Sequence, residues 1–175
     1  MIYRKPTFSD VEEIYALVAG YAESGLMLAR SRNTLYESLR DMIVAEEDGR
    51  VIGVGALHIT WDAMAEVRTM AVSPDYTRRG IGAAIVNRLL DEGRTIGVKK
   101  FFTLTYQPGF FQSLGFVTVG KDHLPQKIWK ECIDCPKFPD CDEIAMVKNE
   151  GASDDDCSLP FESNLKNGNG EVVSS

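Results

Sequence analysis

MAVSPDYTRRGIGAAIVNRLL, residues 70–90, passes from a strand through a glycine-bearing loop into a helix without a gap. Met70, Ala71 and Val72 end an apolar strand, and Ser73-Pro74-Asp75 stops its ladder because proline has no N–H to donate. Ile81, Ile85, Val86, Leu89 and Leu90 then recur at helical spacing, which predicts a helix over residues 82–96 with one buried stripe. Gly80 and Gly82 flank its entrance, where unobstructed N–H groups meet the positive end of the helix dipole. Arg78 and Arg79 add charge beside them, so the loop suits a diphosphate. A plain glycine turn capping a helix fits the same residues, and glycines alone do not separate the two readings.

Working outward, residues 2–4 are a short apolar opening, and Ser9-Asp10 offers a cap to a helix carrying Val11, Ile14, Tyr15, Leu17, Val18 and Tyr21. That helix is expected to end near Gly25. A second, shorter helix capped by Asn33 or Thr34 runs through Leu35, Leu39 and Met42. MIVAEEDGRVIGVGALHITW, residues 42–61, reads as two strands around the Asp48-Gly49 turn, and residues 65–72 extend that meander. Downstream come a strand at 100–106, a short helix at 110–114, a strand at 116–119 and a closing strand at 143–147. The order βααβββαβαβ places the chain in the α/β (α+β) class, with a mixed, mostly antiparallel sheet flanked by helices. One domain is expected over residues 1–147, with a cysteine-bearing loop and the closing strand at 120–147. The polar, glycine-rich residues 148–175 are expected to be a disordered tail, since they cannot bury enough apolar surface to offset their ordering entropy.

With 175 residues and a formal net charge of -7, the chain is expected to bind neither nucleic acid nor anionic membrane broadly. No apolar run approaches the ~20 residues of a membrane span, and the opening residues carry no signal-peptide core, so a cytoplasmic protein is expected. Cys132, Cys135 and Cys141 have a spacing that invites a zinc site, yet they lack an obvious fourth ligand. Packed or redox-sensitive thiols and no bound metal are expected, and His58 reads as a partly buried strand residue.

The loop Thr77-Arg78-Arg79-Gly80-Ile81-Gly82 resembles the acetyl-CoA motif Gln/Arg-x-x-Gly-x-Gly/Ala of the GNAT N-acetyltransferases, departing at its first position. FFQSLGF, residues 110–116, is similar to that family's F-Y-x-x-L-G-F helix. The resemblance implies the GNAT fold and acetyl-CoA as co-substrate. It implies that Met70, Ala71 and Val72 hold the pantetheine arm through their backbone, and that Arg78, Arg79, Gly80, Ile81, Gly82 and Ala83 hold the diphosphate. Glu66, in AEVRTMAV, matches the position of the family's catalytic glutamate, and period-two alternation puts Glu66, Arg68 and Met70 on one face. Glu66 also reads as a surface glutamate paired with Arg68. A backbone N–H near Met70 is the expected oxyanion donor. Where the family carries a tyrosine that protonates the leaving thiolate, this chain has Phe111, which leaves Tyr106 or solvent for that step. Tyr106 reads equally well as a packed aromatic at a strand end.

GLMLARSR, ALHITWDAMAEVRTMAV, LTYQPGFFQSLGF and HLPQKIW together look like the acetyltransferase domain of N-acetylglutamate synthases, including their short stand-alone forms. That resemblance implies transfer to the α-amino group of L-glutamate, the first step of arginine biosynthesis, without the amino-acid-kinase domain of the longer synthases. No cysteine lies on the acceptor strand, so direct transfer in a ternary complex is expected. A dicarboxylate needs fixed arginines, and Arg30 and Arg68 are the expected substrate contacts. Arg30 is alternatively a loop residue packed on the sheet edge, and Arg32 a solvated charge or a partner for Glu37. Another amino acid, a protein N-terminus, or a CoA-binding sensor without turnover are the alternative functions, and homodimerisation is left open.

Overall fold

Asp48 and Gly49 both take positive φ, 51° and 74°, the pair of left-handed residues that a two-residue hairpin turn requires. They join β2 (Met42–Glu47) to β3 (Arg50–Trp61), and β4 (Met64–Val72) completes the meander. The computed structural model describes residues 1–124 and 141–151. Cys132, Cys135 and Cys157 lie outside the described residues, as does the tail from residue 152 onward. The remaining elements are β1 (Ile2–Arg4), α1 (Val11–Glu23), α2 (Arg32–Glu37), α3 (Ile81–Thr95), β5 (Lys100–Thr105), α4 (Pro108–Ser113), β6 (Val117–Val119) and β7 (Ile144–Asn149).

Among the described residues the seven strands form one sheet in the order β1-β2-β3-β4-β5-β7-β6. Every pairing is antiparallel except β4 with β5, so the sheet is mixed and mostly antiparallel. Helix α3 lays Ile81, Ile85, Val86, Leu89 and Leu90 on one face, against Ile43, Ile52, Leu57, Val67 and Phe101. Helix α1 covers the other face with Val11, Ile14 and Val18, packed with Leu35 of α2 and with Met42, Val44, Val54 and Ala71. No helix among the described residues is long and apolar enough to cross a membrane.

Three local expectations are corrected. Helix α2 is capped by Ser31, whose hydroxyl accepts from the Thr34 N–H at 3.1 Å, rather than by Asn33 or Thr34. It ends at Glu37; Leu39 lies in a 3-10 turn and Met42 opens β2. The chain also stays ordered past residue 147: Lys148 and Asn149 pair with Phe101 and Lys100, the Glu150 N–H donates to the Lys99 carbonyl, and Arg94 holds the Glu150 carboxylate at 2.7 Å. Polar composition hid this because an edge-facing strand end needs backbone bonds, not apolar side chains.

The third correction matters for the site. In β4, Ala71 pairs with Val54 and Arg68 with Ala56, so Thr69 and Met70 together oppose the single residue Gly55. Thr69 takes φ 58° at this bulge. The extra residue reverses the alternation: Val67 faces α3, Ala71 faces α1, and Met70 returns to the α3 face with its thioether over Gly55. Met70 is therefore on the opposite face from Glu66 and Arg68.

Arg4 of β1 ties the start of α1 to the sheet. Its guanidinium makes a two-pronged pair with Asp10, at 2.7 and 2.9 Å, and reaches Glu46 at 2.6 Å. Asp10 also accepts from the Thr7 N–H at 2.6 Å. The Arg4 hydrogen bonds hold the Asp10 carboxyl well below its ordinary range. A depressed folded pKa stabilises the protein above the unfolded value, about 4, and the gain is lost as pH falls. Asp10→Asn is thus expected to cost about 2 kcal/mol at pH 7 in denaturant titrations, with the gap to wild type narrowing below about pH 4.

Candidate active site

Strands β4 and β5 pair only at Met64–Lys100, Ala65–Phe101 and Glu66–Phe102. Beyond that point the Thr103 hydroxyl still reaches the Val67 carbonyl at 2.9 Å, but the ladder stops and the strands part around the bulge. The Ser73 N–H donates to Ile52 of β3 at 2.7 Å. Backbone direction alternates along a strand, so the N–H and carbonyl of Val72 point away from β3 into the opening toward β5. The Val72 carbonyl accepts there from the Tyr21 hydroxyl of α1 at 2.7 Å.

The opening leads to the entrance of α3. Arg78 and Gly80 are both left-handed, at φ 61° and 77°, which turns the chain sharply out of the strand. Helical bonding begins with the Ala84 N–H donating to the Gly80 carbonyl at 2.9 Å, so the N–H groups of Ile81, Gly82 and Ala83 point out of the helix end. A side chain at Gly82 would press on the Phe110 ring at 3.2 Å, so the close approach of α4 explains why the position is bare.

A cleft of about 960 Å³ runs from this entrance along the parted strands. It gathers Glu66, Arg68, Met70, Ala71 and Val72 from β4; Arg78, Gly80, Ile81, Gly82 and Ala83 from the loop and α3; Tyr106 from the end of β5; and Arg30 from the loop after α1. Arg79 is the exception among the expected residues: it does not line the cleft, and its guanidinium stacks on the Tyr76 ring at 4.9 Å from the centroid. Arg68 Nη1 lies 3.8 Å from Glu66 Oε2, and the two side chains are only 11% and 15% exposed, so they form a wall of the cleft rather than a solvated surface pair. Arg32 turns away, gripping Glu12 at 2.8 and 2.9 Å and lying 3.9 Å over the Tyr15 ring. Its partner is Glu12, not Glu37, which instead accepts from Asn33.

Phe111 is buried, edge-on to both Phe110 and Phe116, and so belongs to the core that supports the cleft. The Tyr106 hydroxyl donates to Asp142 at 2.6 Å. His58 is half-buried, as expected, with Nδ1 3.0 Å from the Asp41 carboxylate. Among the described residues no group of three or more His, Cys, Asp and Glu is placed to hold a metal. Tyr21, Lys121, Cys141 and Glu143 also line the cleft, and sequence reasoning had given them no place there. Tyr21 stands in the apolar rhythm of α1, which conceals its hydroxyl, and the other three are brought in only by long-range pairing of β7.

A nucleotide bearing a long thioester arm fits this shape, with phosphates at the helix entrance and the arm along the unpaired strand edge; the class is that of acyl-coenzyme A transferases. The chain belongs to the acetyltransferase (GNAT) family, whose sequence model matches residues 8–116. It is an acetyltransferase that uses acetyl-CoA. The chain is 39% identical over 145 residues to an uncharacterized N-acetyltransferase of Chlorobaculum tepidum, a match covering 83% of this chain and 94% of that one. It is 38% identical over 133 residues to an amino-acid acetyltransferase of Mycobacterium tuberculosis, covering 74% of this chain and 76% of the relative. The solved N-acetylglutamate synthase of Neisseria gonorrhoeae complexed with coenzyme A and N-acetyl-glutamate is similar with a TM-score of 0.79 at 27% identity. That match covers 86% of this chain and 35% of the synthase.

Proposed function

We propose that this enzyme transfers acetyl from acetyl-CoA to the α-amino group of an acidic amino acid, L-glutamate first, as in the opening step of arginine biosynthesis. The observation that carries the reading is the convergence of Arg30 and Arg68, from two separate elements, on the cleft that also holds Glu66 and the parted strand edge. In a chain of net charge -7, paired guanidinium groups at an acceptor pocket favour a carboxylate ligand. The names borne by the Mycobacterium relative and the Neisseria synthase support the same class of acceptor.

The acetyl-CoA phosphates meet the N–H groups of Gly80, Ile81, Gly82 and Ala83 beside Arg78, and Met70, Ala71 and Val72 guide the arm through their backbone. Arg79 takes part only by bracing Tyr76. Glu66 removes a proton from the acceptor ammonium, and the neutral amine attacks the thioester carbonyl. The Met70 N–H, at the bulge where the strands part, stabilises the oxyanion. The C–S bond then breaks and the thiolate takes a proton. Tyr106 directs its hydroxyl proton to Asp142, which favours solvent as the donor.

A panel of the twenty amino acids, assayed for CoA release with acetyl-CoA, tests the reading: L-glutamate is expected to give the highest kcat/KM. Phe111, standing where a tyrosine hydroxyl is the family pattern, supports a second reading as a CoA-binding sensor. Tight acetyl-CoA binding with no transfer across the panel would establish that reading instead.

A further inference from the structure

We propose that His58, held by Asp41, is a positioning and relay residue that carries the acceptor's proton away from Glu66. The inference rests on the reading of Glu66 as the base and extends it. His58 of β3 and Glu66 of β4 are direct partners in the antiparallel ladder. Such partners share a face of the sheet, with Cβ atoms about 4.5–5.5 Å apart. On the far side of His58, the Asp41 carboxylate lies 3.0 Å from Nδ1. Asp41 stands in the turn before β2, so a carboxylate, an imidazole and a second carboxylate cross three adjacent segments of the sheet in a row.

A base must pass its proton on before the next turnover. Glu66 is 15% exposed, whereas His58 and Asp41 are 32% and 33% exposed, so the row leads from the cleft wall toward solvent. Arg68 lies 3.8 Å from Glu66 and lines the cleft with it. The Asp41 contact sets the neutral imidazole with its proton on Nδ1 and its lone pair on Nε2. In sequence, the acceptor ammonium gives one proton to the Glu66 carboxylate, and the Glu66 acid gives it to His58 Nε2. The imidazolium, steadied by Asp41, releases it to water. Glu66 and His58 both end in their starting states, and the net product is one proton in solution for each ammonium deprotonated.

The test uses the full chain with acetyl-CoA and L-glutamate, or whichever amino acid the panel ranks first. In His58→Ala, kcat is expected to fall about tenfold while the acetyl-CoA Kd stays at the wild-type value, and added imidazole is expected to restore the rate. A packing role alone would not respond to imidazole. In Asp41→Asn, kcat is expected to fall severalfold with acetyl-CoA binding retained and without rescue by imidazole. Full activity in either variant, or a loss in His58→Ala that imidazole does not repair, overturns the relay. Glu66→Gln separates the two layers: turnover retained there removes the base itself, whereas an inactive Glu66→Gln beside a fully active His58→Ala removes the relay alone.

Discussion

Glu66→Gln is expected to lower kcat by about 10²- to 10⁴-fold while the acetyl-CoA Kd, measured by calorimetry on the same preparation, changes by less than about twofold. The split follows from geometry. Glu66 precedes the bulge, on the α1 side of β4, whereas the N–H groups proposed for the cofactor arm lie at the bulge and beyond it, at Met70 and Val72. Glutamine keeps the size and polarity of the side chain and can still approach Arg68, so the strand is left undisturbed and only the proton acceptor is lost. An amine acceptor is almost wholly protonated near neutral pH, so the remaining rate should rise steeply with pH as the free amine becomes available. If Glu66 were merely the ion-pair partner of Arg68, the substitution would change stability slightly and leave turnover near the wild-type rate. That result would return the base role to another group lining the cleft.

How far the sequence reached can be judged residue by residue. The Asp48-Gly49 hairpin and the α3 stripe were readable because each depends on neighbours a few positions away: two left-handed turn residues in one case, a repeating apolar face in the other. The Thr69 bulge was not: alternation lapses at Arg68-Thr69 and again over Met70-Ala71-Val72, but the extra residue is fixed only where Met70 meets Gly55 and α3, a contact that only the folded sheet creates. Met70 accordingly fell on the wrong face in a period-two reading, although its backbone position did not depend on that. The partner of Arg32 was not legible for a related reason. Glu37 is its neighbour in sequence, but α1 and α2 pack side by side and bring Glu12 to it. Arg78, Gly80 and Gly82 line the cleft together because loop and helix are continuous there, whereas Lys121 and Glu143 meet the cleft only through strands that close the sheet at its far edge.

Arg30, in the loop between α1 and α2, and Arg32, at the start of α2, make the sharpest contrast. Arg30→Ala is expected to raise the KM for L-glutamate about ten- to a hundredfold, the range that follows from losing charge-assisted hydrogen bonds worth about 1.5–3 kcal/mol. The KM for acetyl-CoA should move by less than about twofold, because the phosphate-facing N–H groups belong to a different element. Arg32→Ala is the matched control: it removes the same charge two residues away, from a side chain committed to Glu12 and Tyr15, and the glutamate KM should stay near wild type. A general loss of positive potential would weaken both variants alike, so the difference between them isolates the directed contact. Arg30→Lys refines it further, since a lysine keeps the charge but not the planar fork, and should recover only part of the lost affinity. Equal increases for glutamate and acetyl-CoA in Arg30→Ala would instead mean that Arg30 supports the cleft wall as a packed loop residue, and the acceptor carboxylate would then have to be met by Arg68 or Lys121.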